Sequence, residues 1–363
     1  MSNEQNVAAA AGQFQISGQF LSAKPYGNGH INDTYCAVFD RDGAQVRYVL
    51  QRINQNVFKN PVALMENIER VTSHLAAQVK GEPDSGRRVL TLIPALDGKV
   101  WHLDAENSYW RAYNFIENAR TYDAVESTDQ AFQAAMAFGR FQKLLAGLPP
   151  PRLNDTIPDF HNTPKRFIAL EQAIAADAAG RAAQAKPEIE FALAHKSITG
   201  VLLDANLPER VTHNDTKFNN VMLDDVTGEA ICVIDLDTVM PGLALYDFGD
   251  MVRTTTSPAL EDEQDLSKVT MQFPMFEALV RGYLTEAGGF LTKAEKQLLA
   301  FSGKLITFEI GIRFLADYLA GDKYFKVHRE GHNLDRCRTQ FKLVESIEQQ
   351  EEKMNRLVES IEQ

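Results

Sequence analysis

The chain has 363 residues, of which 44% are hydrophobic and 24% charged, so it can bury a large core and fold as one or two globular domains. Its formal net charge of −12 argues against nucleic acid or an anionic membrane as a partner, because both attract basic surfaces. The acidic balance does not exclude a nucleotide, since a local cradle of backbone N–H groups binds phosphate whatever the net charge.

Cysteine usage and hydropathy indicate a reducing compartment. Three cysteines, Cys36, Cys232 and Cys337, lie far apart without the C-x-x-C pattern of a zinc site. Cys36 and Cys232 fall in predicted strands, where we expect them to be buried apolar residues. The sequence has neither a signal-peptide pattern nor a run of about 18 apolar residues. We therefore expect a cytoplasmic protein, a monomer or weak homo-oligomer, with no nucleic-acid or membrane partner.

The first part of the chain is predicted to form an antiparallel sheet. An Asp42-Gly43 turn signal separates two alternating runs, which is a strong short-range signal of a β-hairpin. Further along, Pro61 begins a segment with apolar residues at helical spacing. The predicted elements here are a loose tail at 1–7, a helix at 7–15, strands at 36–39 and 46–50, a helix at 61–80, and strands at 89–93 and 109–116.

Beyond Asn118 the composition becomes helical, and the pattern predicts a mostly helical remainder. The last helix contains the sequence VESIEQ twice, and we expect it to dock on its own half of the protein rather than form a coiled coil. The predicted helices are 129–145, 167–185, 188–198, 274–286, 293–319 and a C-terminal helix from 343 to 363.

Residues 211–250 carry the polar side chains on which the functional interpretation depends. An apolar run at 230–234 predicts a buried strand, and the turn signal before it predicts a hairpin. Such a hairpin would bring Asp235 beside Asn220. Five residues keep a spacing that resembles the kinase pattern H-x-D-x-K-x-x-N followed by a metal-binding aspartate. These residues are His213, Asp215, Lys217, Asn220 and Asp235.

This set of side chains suits the transfer of a phosphoryl group. Asp215 can hold an acceptor hydroxyl and take its proton, while Lys217 places positive charge on the moving phosphoryl group. Asn220 and Asp235 offer the hard oxygen ligands that Mg²⁺ prefers. Carboxylates near Asn and Gly often only cap turns, but five polar residues at this spacing favour the catalytic interpretation. The residues alone therefore predict phosphoryl transfer to a small hydroxyl compound.

The whole chain resembles the aminoglycoside and choline phosphotransferase superfamily, and within it the N-acetylhexosamine 1-kinases. The resemblance implies an α+β, bilobal, protein-kinase-like fold. A small antiparallel-sheet N-lobe would cover residues 1–117, and a mostly helical C-lobe residues 118–363. The matching segments are PYGNGHIN from Pro25, FHNTPKRF from Phe160, VTHNDTKFNN from Val211, VIDLDTVMPG from Val233, LYDFGD from Leu245 and RFLADY from Arg313.

The resemblance also implies ligands and binding residues. ATP and Mg²⁺ would be the cofactors, and the acceptor would be the anomeric hydroxyl of an N-acetylhexosamine such as GlcNAc or GalNAc. The residues implied for ATP are Gly27, Asn28, Gly29, Asn32 and Gln51, with the interlobe hinge Phe115, Ile116 and Glu117. The residues implied for the sugar are His30, Asp215, Arg313 and Tyr324.

One position departs from the kinase pattern. Gln51 stands on the third strand where kinases place a lysine, and its neutral amide offers phosphate a hydrogen bond but no Coulomb attraction. Either Arg52, the next residue, or Lys217 would then supply the missing charge. The two-glycine loop at Gly27 is weak evidence by itself, because such a pair usually marks only a turn.

Other functions remain open from the residues alone. A kinase for another small hydroxyl compound, such as homoserine, a choline-like amino alcohol or methylthioribose, is the nearest alternative. A non-catalytic nucleotide-binding protein is the alternative from another class, motivated by Gln51. The letters D-F-G at Asp247 come too late after Asp235 to be the metal-binding motif. An ion pair between Asp247 and Arg253 that braces the loop explains this aspartate at least as well as catalysis.

Overall fold

The structure, a computed structural model, describes residues 3–27 and 31–361. The chain forms two compact units, and each is described by itself. The first comprises Met1–Arg120, Gly147–Ile157 and Met222–Met240, and the second Thr121–Ala146, Pro158–Val221 and Pro241–Gln363. The predicted roles of 1–117 in covering the nucleotide and of 118–363 in catalysis and sugar binding stay predictions.

The regular elements of the described residues are numbered in chain order. The strands are β1 (Gln19–Pro25), β2 (Asp33–Arg41), β3 (Ala44–Arg52), β4 (His102–Leu103), β5 (Tyr109–Asn114), β6 (Ala119–Arg120), β7 (Arg210–Thr212), β8 (Val221–Asp224), β9 (Ala230–Val233) and β10 (Met240–Gly242). The helices are α1 (Asn3–Ala11), α2 (Pro61–Gln78), α3 (Thr128–Leu145), α4 (Thr163–Ala176), α5 (Lys186–Ala194), α6 (Val201–Asp204), α7 (Ala244–Thr255), α8 (Phe273–Ala287), α9 (Lys293–Gln297), α10 (Leu299–Ala320), α11 (His332–Glu348) and α12 (Glu351–Ile361).

The first unit is built on an antiparallel sheet with the strand order β1-β2-β3-β5-β4. Strands β2 and β3 form the predicted hairpin, and Asp42 and Gly43 both have positive φ, 56° and 84°, as a two-residue type I′ turn requires. Val7 of helix α1 is buried with Tyr35 and Leu50 of the sheet in one apolar cluster. Strands β6, β8 and β9 form a second small sheet, which confirms the predicted β8–β9 hairpin.

Helix α2 begins where the sequence predicts. The side chain of Asn60 accepts a hydrogen bond from the N–H of Ala63 at 3.1 Å, which satisfies one of the unpaired donors of the first turn. Pro61 fits the first helical position because its missing N–H has no partner to lose there. Leu64 and Ile68, one turn apart, are buried on one face of the helix.

The second unit is organised around α10, which is buried over most of its surface. It packs against α4, α7 and α11, where Phe308 and Phe341 stack with their ring centroids 5.9 Å apart. Helix α3 packs closely against α8. A Cβ on Gly282 would lie only 2.3 Å from the carbonyl oxygen of Phe132, so glycine permits this close approach of the two helices.

Three predictions for the N-terminal part are wrong. Helix α1 begins at Asn3, so most of the predicted tail is helical, and Val7 is completely buried. The segment at 89–93 is not a strand, since it contributes only an isolated bridge from Leu92 to Tyr113. Cys36 is half-buried rather than buried, because alternation along β2 turns it away from the face that carries Tyr35. Cys232 and Cys337 are buried, as expected for Cys232.

Four predicted helices have different boundaries. The helix predicted at 188–198 is the shorter α5, which ends at Ala194, and a separate 3₁₀ turn at Lys196–Ile198 follows it. The helix predicted at 167–185 ends at Ala176, because Asp177 takes the left-handed conformation with φ 34°. The helix predicted at 293–319 is divided at Leu298 into α9 and α10. The C-terminal helix is divided into α11 and α12, and α12 packs against α8, α9 and α10 of its own unit, as expected. Within the described ranges, no helix is long and apolar enough to cross a membrane.

The close contact at Gly282 gives a prediction of stability. A Gly282→Ala substitution places its methyl group against the Phe132 carbonyl, so α3 and α8 must separate. We expect the free energy of unfolding to fall by about 1–3 kcal/mol, as overpacking generally costs. Denaturant unfolding measures the change, and Gly147→Ala is the matched control because a Cβ there meets no atom within 4 Å. Equal stability of the two variants would contradict a close α3–α8 contact.

Candidate active site

A buried carboxylate on α7 holds the loop at 213–216 by its backbone. The Asp247 carboxylate accepts hydrogen bonds from the N–H groups of His213 at 2.9 Å and Asn214 at 2.7 Å. Gln142 Nε2 donates to the same carboxylate at 2.6 Å. Burial raises the pKa of Asp247, although these donors and His213 act in the opposite direction. The first two amide groups of the loop are therefore satisfied inside the protein.

A second carboxylate on α7 holds the end of the same loop. Asp250 Oδ2 accepts the N–H of Thr216 at 2.9 Å, and the Thr216 hydroxyl donates to the backbone carbonyl of Asp247 at 2.7 Å. Asp250 Oδ1 also pairs with Arg253 at 2.8 Å. The expected ion pair of Arg253 with Asp247 is therefore wrong, since Asp250 takes that partner and Asp247 holds the backbone instead.

The loop presents Asp215 between a cation and an amide. Lys217 Nζ lies 3.1 Å from Asp215 Oδ2, and Asn220 Nδ2 donates to the carbonyl of Asp215 at 2.7 Å and to Oδ2 at 3.1 Å. Burial raises the pKa of Asp215, but Lys217, His213 and Arg253 together lower it below the usual 3.8. Asp215 is thus a carboxylate at neutral pH, with a quarter of its side chain exposed.

Asn220 and Asp235 offer oxygen atoms of the kind that Mg²⁺ prefers. Asn220 uses its amide nitrogen on Asp215, and none of the described residues donates a hydrogen bond to its Oδ1. Asp235, in the first unit, has an exposed side chain. Within residues 3–27 and 31–361 no group of three or more His, Cys, Asp and Glu residues is arranged to hold a metal ion. Each of the two oxygens is by itself a hard ligand of the kind that fits Mg²⁺, whose shell is usually completed by water and substrate phosphates.

Asp235 lies two residues after strand β9 and takes the left-handed conformation, with φ 60° and ψ 59°, just before the 3₁₀ turn Leu236–Thr238. That conformation is uncommon outside glycine, and it occurs preferentially at functional sites. Side chains of the first unit hold the 3₁₀ turn that follows. Thr156 Oγ1 donates to the carbonyl of Asp237 at 3.1 Å, and Asn67 Nδ2 donates to the carbonyl of Val239 at 3.1 Å.

The buried Asp237 carboxylate is the centre of a polar network in the first unit. Asn32 Nδ2 donates to it at 2.5 Å, and Arg111 forms an ion pair with it. Arg111 Nε also donates to Gln51 Oε1 at 2.9 Å, and Gln51 Nε2 donates to Thr34 Oγ1 at 2.9 Å. Two of the residues predicted for the nucleotide, Asn32 and Gln51, are therefore members of one network.

Two of the residues predicted for the hinge, Phe115 and Glu117, contact Arg47 or Tyr26 within the first unit. Arg47 lies 3.9 Å from the centroid of the Phe115 ring and pairs with the carboxylate of Glu117. The ring of Tyr26 lies 5.4 Å from that of Phe115, whereas Ile116 is buried. Whether these residues bind adenine stays a prediction.

The predicted phosphate loop is only partly described. Gly27 has a positive φ of 76°, and a Cβ there would meet no atom within 4 Å. The N–H of Tyr26 donates to the carbonyl of Thr34 at 2.9 Å, just before that glycine. The predicted positions Asn28, Gly29 and His30 lie outside the described residues.

Two arginines of the second unit lie near Phe160. The Arg313 guanidinium lies 5.1 Å from the ring centroid of Phe160 and 5.8 Å from that of Phe325. Arg166 donates to the carbonyl of Phe160 from Nε at 3.2 Å and from Nη2 at 3.0 Å. Burial and the nearby Arg313 charge lower the pKa of Arg166. Tyr324, the other residue predicted for the sugar, is 63% exposed.

His161 connects this region to the loop at Asn214. Its Nε2 lies 3.3 Å from the carbonyl oxygen of Asn214, and its Nδ1 lies 2.8 Å from Glu309 Oε1. Both partners are hydrogen-bond acceptors. Thr163 Oγ1 donates to the other oxygen of Glu309 at 2.6 Å. Burial raises the pKa of Glu309, but His161 and these donors lower it overall.

Sequence reasoning missed four residues of these networks. Asp237 is the second aspartate of the D-L-D in the matching segment VIDLDTVMPG, in which the sequence analysis assigns a role only to the first aspartate, Asp235. Arg111 interrupts an otherwise apolar strand, which is a signal, because a charge in a central strand needs a buried partner. His161 stands in FHNTPKRF, a matching segment in which the sequence assigns no residue a role, whereas Gln142 gives no comparable signal because it is a single polar residue in an ordinary helix.

The family follows from a comparison with family models. The model described as the phosphotransferase enzyme family, APH, matches residues 22–279, which is more than half of the chain. The chain belongs to this phosphotransferase family. It is accordingly a small-molecule phosphotransferase, as the spacing of its polar residues predicts.

Solved structures of phosphotransferases share the fold at low sequence identity. The microcompartment-associated aminopropanol kinase is 17% identical with a TM-score of 0.57, and the match covers 97% of this chain and 98% of that one. The spectinomycin phosphotransferase in complex with ADP and spectinomycin is 13% identical with a TM-score of 0.60 over 96% and 99%. The choline kinase from Cryptosporidium parvum Iowa II is 12% identical with a TM-score of 0.56 over 98% and 98%. The α+β, kinase-like fold is confirmed.

The contact between Lys217 and Asp215 predicts a pH dependence for this phosphotransferase. The sequence predicts Asp215 to be the base, and in that role its carboxylate must be ionised, so the rate should fall as the pH drops through the pKa of Asp215, which Lys217 lowers. In Lys217→Met that attraction is lost and burial raises the pKa, so the acidic limb of the pH–rate profile should move to higher pH. The matched control is Lys196→Met, which removes a surface ion pair with Glu171. An unmoved acidic limb in Lys217→Met would contradict the contact.

Proposed function

We propose that the protein transfers the γ-phosphoryl group of ATP to the anomeric hydroxyl of an N-acetylhexosamine, giving the sugar 1-phosphate. The observation that carries the proposal is the Asp215 carboxylate, ionised and fixed by Lys217 and Asn220 on a loop held by its backbone. The family supplies the reaction class, and the resemblance of the sequence to N-acetylhexosamine 1-kinases supplies the acceptor.

Asp215 would orient the acceptor hydroxyl and accept its proton. The anomeric hydroxyl of a reducing sugar is more acidic than an ordinary alcohol, so a carboxylate with a lowered pKa is an adequate base. Phosphoryl transfer depends chiefly on positioning and on charge stabilisation rather than on a strong base. A loop fixed through its amide groups meets the positioning requirement, because its conformation does not depend on exposed side chains.

The remaining charges would act on the phosphates. Asn220 Oδ1 and the Asp235 carboxylate are proposed to bind Mg²⁺, which when bound neutralises the phosphate oxygens of ATP. Lys217 would stabilise the negative charge that develops on the transferred group, as arginine and lysine do in other phosphotransferases. The phosphates and adenine would contact the loop at Gly27 and the hinge at Phe115–Glu117.

The charge near Phe160 favours a neutral acceptor. Arg166 and Arg313 bring two positive charges close together, so that each disfavours a further cation nearby. Choline and aminopropanol, the compounds named for two of the related kinases, are cations at neutral pH. An N-acetylhexosamine carries an acetylated, uncharged nitrogen and several oxygen acceptors for guanidinium N–H groups. Arg313 and the exposed Tyr324 are proposed to hold its ring, together with His30.

Replacing the base tests the chemical step. We expect Asp215→Asn to lower kcat by about 10²–10⁴-fold, the usual contribution of a general base, while the affinity for ATP stays unchanged. Steady-state kinetics and nucleotide-binding calorimetry measure the two quantities. Asp225→Asn, at the far turn of the β8–β9 hairpin, is the control and should retain wild-type kcat. Wild-type turnover by folded Asp215→Asn would remove Asp215 from the mechanism.

The acceptor is tested with paired sugars. We expect GlcNAc or GalNAc to be phosphorylated with ATP and Mg²⁺, and their 1-O-methyl glycosides to be inert although the C6 hydroxyl is free. Phosphorus NMR of the product should give a sugar 1-phosphate that no longer reduces copper reagents. Glucosamine, which differs from GlcNAc by its free cationic amine, should be a much poorer acceptor.

Three outcomes would replace the proposed acceptor. Phosphorylation of the methyl glycosides would indicate another hydroxyl of the sugar. Preferential phosphorylation of homoserine, choline or methylthioribose would assign another acceptor class within the family. ATP binding with no turnover on any hydroxyl compound would indicate a nucleotide-binding protein without catalysis.

A further inference from the structure

Strands β3 and β5 place Gln51 and Arg111 side by side. The two residues are direct partners in the antiparallel pair, so their side chains leave the sheet on the same face. Kinases carry a lysine on the third strand that pairs with a glutamate of the adjacent helix, and that pair must be in place for activity. Here the third strand carries a neutral amide, and a cation stands directly across from it on the neighbouring strand.

Arg111 is 1% exposed and all its contacts are internal. Its Nε donates to Gln51 Oε1, its Nη1 pairs with Asp237, and Met65 Sδ of α2 lies 3.9 Å from Nη1. A guanidinium serves two partners through separate N–H groups, whereas a lysine presents one point charge. Burial opposes the charge, yet the Asp237 carboxylate raises the pKa of Arg111 overall. A buried cation of this kind is retained only with its partner.

The glutamates of helix α2 are not part of this network. Glu66 accepts a hydrogen bond from Asn154 Nδ2 at 3.1 Å, and Glu69 is exposed. The helix instead turns Asn67 toward the carbonyl of Val239, in the turn after Asp235. The ion pair that other kinases form between strand and helix is therefore formed here between a strand and a turn.

We infer that Arg111 is a positioning residue that replaces the strand lysine, and that it acts through Asp237 on Asp235. The inference rests on the proposed function, which assigns Asp235 to Mg²⁺. Arg111 and Asn32 fix the Asp237 carboxylate, and a single 3₁₀ turn joins it to the left-handed Asp235. A displaced Asp237 therefore displaces the Asp235 carboxylate, and metal ligands must be held within about 0.5 Å to function.

The decisive experiment moves the cation from one strand to the other. Three variants are compared, Arg111→Gln, Gln51→Lys and the double variant with both changes. We expect Arg111→Gln to weaken Mg²⁺-dependent binding of a non-hydrolysable ATP analogue by about 10–100-fold, as loss of a partner behind a metal ligand generally does. Gln51→Lys should also bind more weakly, because it sets two cations side by side. In the double variant, most of the Mg²⁺-dependent affinity for the ATP analogue that each single variant loses should be recovered.

A second measurement separates positioning from a general loss of stability. The same analogue is titrated in EDTA, and thermal unfolding is recorded for each variant. A purely structural role would lower the unfolding temperature without changing the ratio of affinities with and without Mg²⁺. If Arg111→Gln does not fold, the double variant Arg111→Gln/Asp237→Asn replaces it in the experiment. The double variant removes both buried charges together and so leaves no uncompensated charge in the core. We expect it to fold and to show the weakened Mg²⁺ dependence.

The control is an exposed cation on the same sheet. Arg52 pairs with Asp33 at the surface, so Arg52→Gln should keep the wild-type Mg²⁺ dependence. Wild-type Mg²⁺ dependence in folded Arg111→Gln or Arg111→Gln/Asp237→Asn would overturn the inference. No recovery in the transposed double variant would do the same, and so would loss of Mg²⁺ dependence in Arg52→Gln.

The readout also separates this inference from the proposed function. A wild-type protein that binds Mg²⁺ and nucleotide together, but phosphorylates no N-acetylhexosamine, would refute the proposed acceptor and leave the result on Arg111 standing. A wild-type protein whose nucleotide binding is independent of Mg²⁺ would refute both. Loss of turnover in Arg111→Gln with unchanged Mg²⁺-dependent binding would refute only the role assigned to Arg111.

Discussion

The loop that carries Asp215 takes its shape from two buried carboxylates on one helix. Asp247 and Asp250 accept the backbone N–H groups of the loop at 2.7 to 2.9 Å. Burying a carboxylate is costly unless it is hydrogen-bonded, and these amides, with Arg253 beside Asp250, supply the bonds. Because the carboxylates bind the main chain, the loop is fixed before any ligand arrives. The left-handed Asn214, with φ 65°, is held by the same bonds.

The helix that carries those carboxylates is in turn fixed by close packing on α10. A Cβ on Gly249 would lie 2.5 Å from the carbonyl oxygen of Ser302, so the two helices approach as closely as glycine allows. The same α10 carries Glu309, which holds His161 against the carbonyl of Asn214, and Arg313 one turn later. One rigid helix therefore supports the loop from two sides and presents the arginine proposed for the acceptor.

The sequence predicted the features that depend on neighbouring residues. Asp42-Gly43 sets its own hairpin, Asn60 and Pro61 begin their helix, and the spacing around Asp215 identified the loop and the reaction class. The contacts between distant segments could not be predicted, because a single sequence does not show which residues of two distant segments face each other. Gln142 donates a hydrogen bond to Asp247, which is 105 positions away in the chain. Arg253 pairs with Asp250 rather than Asp247, because the Asp247 carboxylate accepts the N–H groups of the loop. The end of helix α4 at the left-handed Asp177 was not predicted either, because an aspartate in an alanine-rich segment is a weak signal for a helix end.

The missing lysine shows why a gap in a motif is hard to interpret from sequence alone. From the sequence, the candidates to supply the missing positive charge are Arg52, which is adjacent in the chain, and Lys217, which belongs to the kinase-like motif. In a sheet, however, the nearest neighbour of a side chain on its own face is the residue across from it on the next strand. For Gln51 that residue is Arg111, and successive side chains on a strand point to opposite faces, so Arg52 leaves the sheet on the other side. A glutamine in place of the lysine is therefore no sign of an inactive kinase when the facing strand carries a buried arginine with its own carboxylate.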